Sequence, residues 1–399
     1  MSQKQEKNKI QTLLEILVTS TKLGLTSFGG PVAHLGYFKD EYIDRRKWLN
    51  DKTYADLIAL CQFLPGPASS QVGISIGILR GGILGGVTSF LGFTVPSVIV
   101  LVIFALLYQH FTLDDVGFIH SLKVVAAAVV LHALIGLGKK LTPDKSRMAI
   151  ALAAALIMLL YPSAWIQIMI ILAAGLVGLS LFKNKAASNI ESFPVNISKK
   201  TGVLSLTVLG SSLIVLPLIN NAVNHSLINI FDTFFRVGSL VFGGGHVVLP
   251  MIERELVPQG LLSPDEFLAG YGMAQAVPGP LFTFSSYLGT MMEGITGAVV
   301  ATIAIFLPSF LLIIGALPFL SELRKRASFQ GILMGVNASV VGILLAAFYD
   351  PVIKSSIFDG TDFALGVILF ALLNIWKVPA WLIVIIGVIG GYILNGLGF

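Results

Sequence analysis

Long uninterrupted apolar runs alternate along the chain with short polar connectors. A helix needs about 20 residues to cross a bilayer. Measured against that, nine stretches stand out: 82–108, 117–138, 148–161, 164–182, 202–219, 294–320, 329–349, 363–376 and 380–397. Several are short, and 148–161 with its neighbour suits a tilted pair or a shallow hairpin. Runs of this kind predict helix, because a barrel needs short alternating segments. Other segments are apolar but interrupted. Residues 10–28 place Ile10, Leu13, Leu14 and Leu17 at helical spacing, yet carry Glu15 and Lys22 and end in Gly29-Gly30-Pro31. Residues 54–64 are too short to span; they meet Pro65-Gly66-Pro67 and resume as 68–79. Backbone within hydrocarbon must satisfy its own hydrogen bonds, so such breaks persist only when buried in protein or lining a wet cavity.

Composition sharpens this picture. Of 399 residues, 55% are hydrophobic and 12% charged, with a mean hydropathy of +0.87. Soluble chains carry about a quarter charged residues, so most of this surface must face lipid. A lone Cys61 excludes a disulfide framework, and no Cys/His spacing suggests a metal or cofactor. The polar first ten residues, followed by a helix with Glu15 and Lys22, do not form a cleavable signal peptide. The net charge of +5 is assigned to loops rather than to nucleic-acid binding.

The chain repeats itself. Phe28-Gly29-Gly30 recurs as Phe242-Gly243-Gly244, Glu41 falls on Glu255, and Gln62-x-x-Pro65-Gly66-Pro67 recurs as Gln275-x-x-Pro278-Gly279-Pro280. Pro96-Ser97 matches Pro308-Ser309, and Ala164-Trp165 matches Ala380-Trp381, at a shift of about 214 positions throughout. Such a period suits the half-molecule repeats of transporters rather than a solenoid. The expected organisation is a first repeat over 1–182, a linker with one extra helix over 183–223, and a second repeat over 224–399.

One extra crossing inverts the second copy if each copy crosses an even number of times. Basic residues follow that scheme. Arg45, Arg46, Lys47 and Arg80 fall inside, as do Lys139, Lys140, Lys183 and Lys185; the second-copy loop matching Arg45–Lys47 is mainly acidic, and Glu293 matches Arg80. The predicted fold is an all-α polytopic membrane protein. It has two inverted-topology repeats with broken or re-entrant helices, the N-terminus inside and the C-terminus outside.

Three features could carry chemistry. At Pro65-Gly66-Pro67 the residues before proline leave the α region, and Pro67 starts the next helix. The following amides lack intrahelical acceptors at a positive dipole end, which suits an anion. Ser69 and Ser70 add hydroxyls, and Thr283 lies at the matching place after Pro278-Gly279-Pro280. Gly29-Gly30-Pro31 and Gly243-Gly244-Gly245 allow sharp unwinding, with close helix packing as the alternative reading. Lys22 and Arg236 stand at one repeat position within apolar helices, where they could flank a dianion. The alternatives are snorkelling or pairing with Glu15 or Asp232. Asn337 could line the path. His246, Glu41 and Glu255 are the proton-coupling candidates, weighed against a role as solvated helix-end residues. No phosphate-binding loop, metalloprotease motif or serine-hydrolase elbow occurs, so the chain is read as a non-enzyme.

The pattern Phe28-Gly29-Gly30-Pro31-x-x-His34 with Pro65-Gly66-Pro67, repeated as Phe242-Gly243-Gly244-Gly245-His246 with Pro278-Gly279-Pro280, resembles the chromate ion transporter family in its long two-domain form. Gly245 in place of Pro31 is a departure between the copies. The resemblance covers nearly the whole chain. It implies a chromate exporter of the bacterial plasma membrane that confers chromate resistance. Partners on this reading are chromate or a sulfate-like oxyanion and membrane lipid; a homodimer is compatible with the sequence. A sulfate or other oxyanion carrier, or a membrane assembly protein without transport, remain the alternatives.

Overall fold

The structure is a computed structural model that describes residues 2–27, 30–110, 116–182, 197–223, 225–241, 248–319 and 327–396. All regular elements among them are helical. In chain order they begin with α1 (Ser2–Thr26), α2 (Gly30–Phe38) running into a π-helical segment Lys39–Arg45, α3 (Asp51–Phe63) and α4 (Ala68–His110). Then come α5 (Val116–Leu141), α6 (Lys145–Leu160), α7 (Ala164–Phe182) and α8 (Lys199–Val223). The remainder are α9 (Ser226–Leu240), α10 (Val248–Leu256), α11 (Pro264–Ala276), α12 (Phe284–Ala316), α13 (Ala327–Ala347), α14 (Gly360–Asn374) and α15 (Ala380–Gly396). The chain is an all-α polytopic membrane protein. Five described stretches, in α4, α5, α8, α12 and α13, are long and apolar enough to cross a bilayer. The other four apolar runs form shorter helices. At 1.5 Å rise per residue the 15-residue α14 covers only about 22 Å of a roughly 30 Å hydrocarbon core.

The chain reverses wherever glycine interrupts it. Helix α4 folds back at Gly81 (φ −130°, ψ 17°) and Gly82 (φ 66°, ψ −164°). Helix α12 does the same at Glu293 (φ −139°, ψ 30°) and Gly294 (φ 59°, ψ −151°). The two arms then pack at contact distance: Ser89 Oγ donates to the Gly73 carbonyl at 2.9 Å, and a Cβ on Gly77 or Gly289 would strike the Gly85 or Gly297 backbone. Cys61 Sγ lies 3.9 Å from Ser75 Oγ, which places α3 beside the first arm of α4 around the Pro-Gly-Pro turn. Asn50 caps α3 through Thr53 N, and a Ser263–Glu266 capping box starts α11.

Two layers of packing follow. Helix α1 packs on α4, α9 on α12, and α4 on α12, so the kinked helices form the central frame. The hairpins are exchanged between the halves. Helices α6 and α7 pack on α13, while α14 and α15 pack on α5. Glycines permit the close approaches: a Cβ on Gly342 would strike the Ala151 carbonyl, and one on Gly391 the Ser121 side chain. Large apolar side chains such as Leu160 (70% exposed) and Leu176 (69%) remain on the outside, as a lipid-facing surface requires.

Candidate functional site

The two Pro-Gly-Pro turns have the same backbone. Leu64 and Val277 are extended, and Gly66 (φ 110°) and Gly279 (φ 99°) occupy the positive-φ region that L side chains avoid. Each turn docks on the opposite half. Gly66 N–H donates to the Val241 carbonyl at 2.6 Å, and Gly279 N–H donates to the Ser27 carbonyl at 2.9 Å. Val241 and Ser27 are the last described residues before the glycine breaks of their halves. Ser97 Oγ donates to the Pro278 carbonyl at 2.6 Å. A Cβ on Gly279 would collide with Ser97 Oγ, and one on Gly66 would sit 2.8 Å from Ser309 Oγ and Gln71 Nε2. The structure therefore places both Pro-Gly-Pro turns at the interface between the halves, each docked on the other half.

The helix starts after the turns differ. The first is a regular α-helical start: Gln71 N–H donates to the Pro67 carbonyl at 2.9 Å, so Pro67 stands one position before the helix. Its first turn carries Ser69, Ser70 and Gln71, all buried. Gln71 Nε2 donates to the Pro65 carbonyl at 2.6 Å, which fixes the amide and leaves Oε1 pointing elsewhere. The second start is a 3-10 turn, Leu281–Thr283, in which Leu281, Phe282 and neighbouring Phe284 are buried. Thr283 Oγ1 donates to the Pro280 carbonyl at 2.6 Å and is thus already engaged. Buried polar atoms without a partner among the described residues include Ser27 Oγ, His34 Nε2, Ser70 Oγ, Gln71 Oε1, Gln275 Nε2, Ser285 Oγ and Ser309 Oγ. Buried polar groups are normally satisfied, so such a set marks a place that holds water or a ligand.

The repeat-related cations are paired, and their partners are the repeat-related glutamates. Lys22 Nζ lies 2.7 Å from Glu41 Oε2. Arg236 holds Glu255 with both Nη atoms, at 2.8 and 3.2 Å, and Asp232 at 3.3 Å. Each pairing spans 19 positions and joins α1 or α9 to the helical segment that follows it. Glu15, weighed above as the partner of Lys22, instead binds Arg46 and Arg80. Glu41 is also held by Arg45 and Arg46. Burial opposes its ionisation, but hydrogen bonds from Lys22, Arg46 and Arg45 prevail and hold its pKa at about 2.

A cavity of about 820 Å³ opens beside Arg236. Its walls include Asp232, Glu253, Arg254, Asp350 and Lys354, and neither Pro-Gly-Pro turn is among them. Burial raises the Glu253 carboxyl, Arg254 lowers it and Asp350 raises it, for a pKa of about 7. A small recess next to it joins Arg236 and Glu255 to Gln167, Leu240 and Met251. Gln167 is 1% exposed, and neither atom of its amide has a partner among the described residues. The sequence reading missed Glu253 and Gln167. Gln167 was findable as a lone amide in the apolar run 164–182; Glu253 looked like one acidic loop residue among several. Asn337 sits partly buried on α13, whose main packing partners are α6 and α7. Gly30 has φ 76° and Pro31 opens α2 beside it. Gly29, Gly243, Gly244, Gly245, His246 and the Gln62 side chain lie outside the described residues.

A family model described as Chromate transporter matches residues 14–179 and again 228–392. A chromate transport protein of Pseudomonas aeruginosa is 29% identical over 335 residues, covering 82% of this chain and 78% of its own. An uncharacterized transporter of Methanocaldococcus jannaschii is 25% identical over 388 residues, 96% of this chain and 90% of its own. An uncharacterized transporter of Bacillus subtilis is 32% identical over 152 residues, covering 37% of this chain and 75% of its own. No solved structure matches the chain.

Proposed function

Because the chain belongs to the chromate transporter family, we propose that it is a secondary transporter that exports chromate across the bacterial plasma membrane and so confers chromate resistance. Residues 1–182 and 224–399 act as inverted transport units, with 183–223 as a cytoplasmic linker plus crossing helix. The N-terminus is cytoplasmic and the C-terminus outside. The observation that carries the reading is the reciprocal docking of the two Pro-Gly-Pro turns, with unpartnered buried hydroxyls around them. A tetrahedral dianion binds at these turns, where first-turn amides, that of Ser69 among them, and the Ser70 and Ser285 hydroxyls offer donors. Rocking of one unit against the other alternates access.

Lys22 and Arg236 act as the cationic members of two latches, one in each half, rather than as bare charges. The dianion competes with Glu41 and Glu255 for them as it passes. Arg236 also lies on the wall of the 820 Å³ cavity, with Val241 of the interlock five residues on. At 1.5 Å per helical residue that is about 7–8 Å. Export needs no strong ion gradient. A dianion leaving an inside-negative cell releases about 4.6 kcal/mol per 100 mV, twice the single-charge value. Coupling to protons through Glu255 or His246 is therefore optional, and Glu41, held ionised by Lys22, Arg45 and Arg46, is not suited to carry one.

Labelled chromate flux into proteoliposomes tests the reading, with an imposed voltage and no pH difference. Voltage-driven flux that falls in Lys22→Ala and Arg236→Ala is the expected result, and absence of flux overturns the reading. A sulfate carrier is the second reading, favoured by donors that recognise only tetrahedral shape and charge. Equal displacement of chromate by sulfate identifies it.

A further inference from the structure

Among the partnerless buried polar atoms is a ring nitrogen, Nε2 of His34. His34 is 1% exposed, at the foot of α2. In the register that pairs Glu41 with Glu255, its counterpart is Val248, also buried. His34 Nδ1 lies 3.2 Å from Ser69 Oγ, in the first turn of α4. The Phe93 ring packs edge-on against the imidazole, with centroids 5.4 Å apart. Ser27 reaches the ring from the other side. Its carbonyl lies beside the ring and already accepts from Gly279 N–H at 2.9 Å. The imidazole thus sits where the first Pro-Gly-Pro helix start and the docking point of the second turn meet.

Its chemistry follows from those neighbours. The Ser69 hydroxyl can donate to Nδ1, which places the proton of a neutral ring on Nε2. Nε2 has no partner among the described residues, and neither do the hydroxyls of Ser27 and of Ser70, the residue after Ser69. The first-turn N–H groups of α4 also lack intrahelical acceptors. Each of these groups can donate; the acceptors beside them are Gln71 Oε1 and the Ser27 carbonyl, which already accepts from Gly279 N–H, and among the described residues no carboxylate bonds His34 or Ser69. A buried site rich in donors and poor in acceptors calls for an anion with several oxygens.

We propose that His34 is a direct ligand of the transported oxyanion. Nε2–H donates to one oxygen, and the Ser70 hydroxyl and the first-turn N–H groups of α4 donate to others. Ser69 is the positioning residue that holds the tautomer. Among the described residues, the second half places Val248 at the equivalent position and so supplies backbone and shape there. The proposal rests on the oxyanion-transport reading above and adds the residue that makes the site one-sided.

The test is isothermal titration of the full-length protein in detergent with sodium chromate and with sodium sulfate, alongside thermal unfolding of each variant. A hydrogen bond to a charged group predicts a Kd at least about tenfold weaker in His34→Ala. The His34→Gln amide, which retains a donor, recovers to within about threefold of wild type, and Ser69→Ala weakens binding about two- to fivefold. These changes come with the unfolding temperature of His34→Gln unaltered. Wild-type Kd in a folded His34→Ala overturns the assignment. If His34→Ala does not fold, wild-type Kd in Ser69→Ala together with a His34→Gln that binds no better than His34→Phe overturns it. Wild-type protein that binds neither oxyanion overturns the transport reading and this inference with it. Binding with flux intact in His34→Ala overturns this inference alone.

Discussion

The two Pro-Gly-Pro turns share a backbone and differ in chemistry. Gly66 and Gly279 have nearly the same φ, and both donate to the opposite half. Yet the first turn opens onto Ser69, Ser70 and Gln71 with His34 above, and the second onto Leu281, Phe282 and Phe284. The repeat conserves the device that breaks the helix and leaves side chains free to diverge. A symmetric frame therefore holds two unlike helix starts, and the second half's Arg236 and Glu253 line a separate cavity.

The harshest way to break the comparison is to remove its common part. Gly279→Ala forces a side chain into positive φ and against Ser97 Oγ, and Gly66→Ala does so against Ser309 and Gln71. Each should destabilise by roughly 2–4 kcal/mol, with Gly279→Ala the worse. Thermal unfolding in detergent ranks them, and equal wild-type behaviour in both would dissolve the interlock as a structural element.

Next come the latches. Glu41→Gln strands Lys22 and Arg45 and leaves Arg46 with Glu15, whereas Glu255→Gln leaves Arg236 with Asp232. Lys22 and Arg45 are about half exposed or more, so solvent screening trims the loss to roughly 1–2 kcal/mol for Glu41→Gln and less for Glu255→Gln. Their order in the same unfolding assay decides the point.

The halves also part company in pH. The Glu41 pKa is depressed to about 2, so its contribution is full above the ordinary value of 4.5 and fades only as pH falls from there towards 2. The Glu253 pKa is raised to about 7, so burial of its charge costs stability as pH climbs from 4.5 through 7. Glu253→Gln should flatten the decline between pH 5 and pH 8 and leave the acid side unchanged. An identical profile in this variant would show that Glu253 is fully solvated.

The smallest effect separates the hydroxyls. Thr283 is engaged by Pro280, so Thr283→Ala should change chromate KM less than about twofold, against about three- to tenfold for Ser70→Ala. Equal shifts would restore a symmetric site.

Much of this was legible in the chain. Helix breaks at both Pro-Gly-Pro sites, and reversals at Gly82 and Gly294 where apolar runs begin, follow from proline and glycine backbone restrictions that act locally. The match of Glu41 to Glu255 was visible, and its meaning was not. Lys22 was weighed against Glu15 on its own helix, but in the fold it meets Glu41, 19 positions further on. Cross-docking of Gly66 on Val241 and of Gly279 on Ser27 joins residues too far apart in sequence for any periodicity to register. Thr283 looked equivalent to Ser70 until the 3-10 turn spent its hydroxyl on Pro280. His34 stood in the family pattern as a letter without a task, because its neighbour Ser69 is 35 positions away.

The exchanged hairpins bear on how this molecule is made. Helix α5 emerges from the ribosome long before α14 and α15, which will cover it, and α6 and α7 must wait for α13. An early product of synthesis thus holds glycine- and alanine-lined grooves open to lipid until the rest of the chain arrives. Assembly is last-in, first-locked: the final helices to be inserted close the structure made first, and a chain truncated before them would be a natural target for membrane quality control.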